Sequence, residues 1–148
     1  MYRKILVPLD GSATSQRGLK QAIALARESG ARLRLVHVVD ETATVGMMED
    51  GVDISPVLGR LVHAGRAVLE RARRAAQKAG VRADTVLHES LGGAAADAIL
   101  REAKKSGADL IVMGTHGRRG LRHVVLGSEA ERVVHRSPVP VLLVRAGE

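Results

Sequence analysis

Between Val112 and Ala130 the sequence reads VMGTHGRRGLRHVVLGSEA, with four glycines, two histidines, three arginines and no acid before Glu129. Such a stretch has the makings of an anion cradle. Glycine lets the backbone approach a bulky polyanion. The stretch leads into a helix, whose free N–H groups and positive dipole end favour negative charge. Ser128 is placed to cap that helix or to bond a phosphate oxygen, and Glu131 three residues on completes a capping-box pattern. The same residues also read as turn-forming glycines with solvated arginines, and both readings stand at this level. A second candidate is Pro8-Leu9-Asp10-Gly11-Ser12. Here Asp10 would accept from a ribose hydroxyl or an adenine amine, help hold Mg²⁺, or cap the following helix. Asp40 faces the same choice.

Other chemistry is excluded by what is missing. Neither G-x-x-x-x-G-K-[ST] nor a G-x-G-x-x-G after the first strand occurs, which argues against a P-loop enzyme and a dinucleotide dehydrogenase. The 148 residues contain no cysteine, so disulfides, thiol catalysis and thiolate metal sites are ruled out. With one Tyr and no Trp or Phe there is no platform for stacking unpaired bases, and nucleic acid is not an expected partner. Much of the net charge of +7 is Arg spread along helices (Arg66, Arg71, Arg73, Arg74), which reads as solvated helix faces. The N-terminal apolar run is too short for a signal peptide. No window reaches the roughly 18 apolar residues of a membrane span. A soluble, cytoplasmic protein is expected.

The elements that must position these residues alternate regularly. KILVPL, ARLRLVHVV, VRADTVLHE, ADLIVMG and VPVLLVR read as strands. The third has interrupted alternation, as expected near an edge, and the fourth is almost continuously apolar, as expected inside a sheet. Helices are expected over Ala13 to Glu28, ended by Gly30, and from Pro56 to Gly80. The second would bury Leu58, Leu61, Val62, Val68, Leu69, Ala72, Ala75 and Ala76. GGAAADAILREAKKSG and Ser128 to His135 read as two more. Asp40 to Ser55 shows no period and is read as a mobile lid or a floppy connection. Strand–helix alternation means a parallel sheet with helices on both faces. Ligands of such sheets lie beyond the carboxyl ends of the strands, where strand order reverses.

The spacing G-x2-G-x9-G-[ST], filled by Gly114, Gly117, Gly127 and Ser128, resembles the nucleotide-binding motif of the universal stress protein family. ILVPLDGS, LVHVVD and SPVPVLLVR resemble that family too, so that the likeness spans the chain. It implies one domain, residues 1–148, with a Rossmann-like (adenine nucleotide alpha hydrolase-like) fold of five parallel strands in the order 3-2-1-4-5. It implies ATP, with Mg or Mn. Pro8, Leu9, Asp10 and Val38 would surround the adenosine, and Met113 and Gly114 would line the floor. Gly117, Gly127, Ser128 and Glu129 would meet the phosphates through main-chain N–H groups or the hydroxyl, with His116 and Arg118 beside them. A homodimer through the last strand, 140–145, is implied as well, since that strand is otherwise an apolar edge. The function expected is a nucleotide-dependent stress-response regulator or sensor with at most slow hydrolysis. A slow ATPase or nucleotidyl-transfer enzyme, and a basic interaction module binding nucleic acid or an acidic partner, are the alternatives.

Overall fold

A computed structural model of the chain describes residues 1–90, 93–116 and 126–145. Five strands, β1 (Lys4–Pro8), β2 (Arg32–Asp40), β3 (Ala83–Ser90), β4 (Leu110–Gly114) and β5 (Val141–Val144), pair in parallel in the order β3-β2-β1-β4-β5. Helices α1 (Ala13–Ser29) and α3 (Ser55–Lys78) cover one face, and α4 (Ala95–Ser106) and α5 (Ser128–Arg136) the other. The expected architecture is the observed one.

The sheet divides the core in two because side chains alternate across a strand. On β1, Ile5 and Val7 face α1 and α3, whereas Leu6 faces α4 and α5; all three are fully buried. With no aromatic residue in the core, the helices close on the sheet through small residues. Leu19, Ala22 and Ala26 of α1 are buried, as their spacing predicts. Strand β3 lies at the edge and has no fully buried residue, in line with its broken alternation.

Two expectations change. The segment 40–55 is not a bare connection, because it contains a further helix, α2 (Thr42–Glu49). Its sequence has no amphipathic period, and Val45 and Met48 remain exposed. A local device starts it: the N–H and hydroxyl of the buried Thr44 donate to the Glu41 carbonyl at 2.9 and 2.6 Å. On α3 the buried seam is Gly65, Leu69, Ala72 and Ala76. Ala75 is exposed, and Leu58, Leu61 and Val62 are only half-buried, on a helix that packs against β2 and the edge strand β3. Among the described residues no helix is long and apolar enough to cross a membrane.

Candidate functional site

Strand β1 has β2 on one side and β4 on the other, so strand order reverses between β1 and β4. Beyond their carboxyl ends lie Asp10-Gly11-Ser12 and Thr115-His116, with the start of α5. In this topology that is where a crevice opens.

Local contacts hold the β1 side rigidly. Leu9 is buried among the α1/α3 core residues. Asp10 Oδ1 accepts from the Ser12 N–H at 2.9 Å, closing a turn before α1. Ser12, not Asp10, caps the helix, accepting from the Ser15 N–H at 3.1 Å. The Asp10 N–H in turn donates to Ser15 Oγ at 3.4 Å. Pro8 and Val38 are half-buried, and Val38 packs against the α4/α5 core.

The β4 side depends on two glycines at close approaches. A Cβ on Gly114 would lie 2.6 Å from Thr14 Cγ2, so this glycine lets the first turn of α1 pack against the strand end. Gly127 donates its N–H to the Thr115 carbonyl at 2.6 Å, and a Cβ there would stand 3.1 Å from His116 Cα and Cβ. Thr115 is buried, its N–H donates to the Val144 carbonyl at 3.0 Å, and its hydroxyl lies 3.1 Å from His116 Nδ1. Met113 is buried in the α4/α5 core. Gly117 and Arg118 lie outside the described residues.

The proposed capping box at Ser128 does not form. Gly127 is the N-cap, with φ −70 and ψ 157, and Ser128 is already the first helical residue. Packing of Gly127 onto Thr115 and His116 draws the helix start one residue forward. The consequence is seen by comparing the N-termini of α1, α4 and α5. That of α1 is capped by the Ser12 hydroxyl. That of α4 begins after Ala94 and receives the Glu129 carboxylate, whose Oε2 accepts from the Ala96 N–H at 2.6 Å. That of α5 has no side-chain cap, and Ser128 is exposed there. Its first-turn N–H groups, which a helix cannot satisfy internally, are the ones available to an anion. Glu129 is therefore shared, its N–H in that first turn and its carboxylate on the neighbouring helix.

Sequence reasoning missed Thr14, which packs against Gly114, Ser15, which bonds Asp10 and Ser12, and Thr115, whose carbonyl receives the Gly127 N–H. Only the Ser12 cap had a visible sequence signal, standing just ahead of an apolar period. Among the described residues no three His, Asp or Glu side chains converge to hold a metal. A shallow cavity of about 740 Å³ lies between α3 and β3, lined by Arg66, Glu70 and Glu89 among others, away from the β1/β4 end.

A model of the universal stress protein family matches residues 1–145. The chain is 39% identical to universal stress protein MJ0531 of Methanocaldococcus jannaschii over 145 residues, covering 98% of this chain and 83% of that protein. Its fold is similar to the solved structure of MJ0577 from the same organism, with a TM-score of 0.86, 28% identity and 100% and 99% of the two chains covered. It is also similar to a universal stress protein solved in complex with cAMP, with a TM-score of 0.69, 27% identity and 97% of each chain covered.

Proposed function

From the premise that this chain belongs to the universal stress protein family, we propose that it binds ATP at the β1/β4 crevice and works as a nucleotide-dependent stress-response regulator or sensor in the cytoplasm. The observation that carries the reading is the start of α5. No side chain caps it, and Gly127 seats it against Thr115 and His116 at the point where strand order reverses. The complex of a relative with cAMP supports an adenine nucleotide as the ligand class. In this reading Pro8, Leu9, Asp10 and Val38 surround the adenosine, and Met113 and Gly114 form the floor through their backbone. Gly117, Gly127, Ser128 and Glu129 meet the phosphates, with His116 and Arg118 alongside. A Mg or Mn ion would arrive on the phosphates, because the described side chains offer no site of their own. Domain 1–148 would act as a homodimer through 140–145, where Leu142 is 39% exposed on the edge strand. The segment 40–55, helix α2 included, would move as a lid.

Mass spectrometry of nucleotide released from freshly purified, denatured protein tests this. Recovered ATP, or a saturable titration with ATP-Mg that Gly127→Val abolishes, is expected. Neither nucleotide nor a titration response would overturn it. Steady release of ADP that Ser128→Ala abolishes would turn the regulator into an enzyme.

A further inference from the structure

Leu9 is held by β2 through both of its backbone groups. Its N–H donates to the Val36 carbonyl at 2.8 Å, just past the paired register, which ends at Pro8 and Val36. Its carbonyl lies 2.7 Å from Nδ1 of His37. A carbonyl only accepts, so Nδ1 carries the hydrogen and the imidazole donates. The ring thus adds a side-chain rung between β1 and β2 where the backbone ladder stops. Because the peptide is planar, fixing the Leu9 carbonyl also fixes the direction of the Asp10 N–H.

The seat for this ring is made by α3. A Cβ added to the buried Gly65 would lie 2.5 Å from His37 Cδ2, 2.9 Å from Nε2 and 3.0 Å from Leu87 Cδ1. No real Cβ tolerates such contacts in a close-packed interior, so any other residue would push the ring aside. The next residue along β2, Val38, points to the opposite face and packs with the α4/α5 core. Two consecutive residues of β2 thus face opposite halves of the core, and the one on the α3 side holds the end of β1.

We infer that His37 is a positioning residue of the adenine side of the crevice, its Nδ1–H holding the Leu9–Asp10 peptide against β2 while Gly65 keeps its seat open. The inference rests on the nucleotide reading above. His37→Leu removes the donor, and His37→Asn restores a donor near the Nδ1 position without the ring. Calorimetric titration with ATP-Mg is expected to show about tenfold weaker binding for the Leu variant and a loss within about threefold for the Asn variant. The Asn variant recovers affinity without recovering the wild-type thermal midpoint, which a purely structural role for the ring would not allow. Gly65→Ala is expected to weaken binding in the wild-type background and to have little effect beside His37→Asn, where no ring is displaced. This pair decides the matter if His37→Leu does not fold. Wild-type affinity in the Leu variant, or equal losses from Gly65→Ala in both backgrounds, would overturn the inference alone. A wild-type protein that binds no ATP would overturn the nucleotide reading and this inference with it.

Discussion

Glu102 on α4 is 1% exposed, and Glu41, just ahead of α2, is 3% exposed. Their surroundings differ in kind. Glu102 Oε1 accepts from Arg34 Nε at 2.9 Å and meets Nη2 at 2.9 Å, and its Oε2 lies 3.3 Å from His88 Nε2. Arg34 comes from β2 and His88 from β3, so one carboxylate fastens α4 to two strands. At Glu41, by contrast, Oε2 is buried with no hydrogen-bond partner. Burial, and next the Glu89 carboxylate, push its carboxyl above the ordinary value of 4.5. A buried charge is retained cheaply only where its partners are complete. The completed one lies within the scaffold, and the incomplete one stands at the crevice end of β2, at the start of the segment proposed to move. Free energy is thus withheld at the rim and concentrated in the frame.

The largest effect is expected where the completed network is broken. Arg34→Met leaves Glu102 buried with only His88, and urea denaturation should show a loss of about 3 kcal/mol. A loss below about 1 kcal/mol would erase the contrast with Glu41. Glu129→Ala strips the carboxylate from the start of α4 and should cost about 2 kcal/mol, with faster amide exchange in the first turn of that helix.

Glu41→Gln tests the other member of the pair and should stabilise. With its carboxyl raised in the folded protein, Glu41 favours folding in the protonated form. That contribution is complete below pH 4.5 and fades as pH rises through the raised value. The Gln variant should therefore be more stable by about 1 kcal/mol at pH 8, and the gap should close toward pH 4. A gap that widened on acidification would reverse the assignment. Glu70→Gln should matter least. Arg73, with Arg74 adding less, holds Glu70 down to about 2, but Arg74 is largely exposed and Arg73 and Glu70 are partly so. Its thermal midpoint should differ little from wild type at low salt and not at all at high salt.

The order of strands and helices was legible because each strand is an apolar run and most helices carry a seam at helical spacing. Helix α2 was not, since Thr42 to Glu49 has no such seam and is started by Thr44 bonding back to Glu41. At the site, the glycine spacing was legible, but the reason for Gly114 was not. Its neighbour Thr14 is a hundred positions away in the chain, and only the fold brings α1 against β4. Ser128 offers a capping residue by type, alongside its phosphate role, whereas the start of α5 falls one residue earlier, at Gly127, which packs on Thr115. The Arg34–Glu102–His88 group and the His37–Gly65 pair join elements far apart in sequence, and no local pattern announces either.

The hydrogen bond from Gly127 to Thr115 has a consequence for how such a protein can vary. It ties the residue that opens α5 to the first residue beyond β4 through main chain alone. That tie between helix start and sheet therefore depends on no side-chain hydrogen bond, and exposed side chains of the first turn, Ser128 among them, can be exchanged without breaking it.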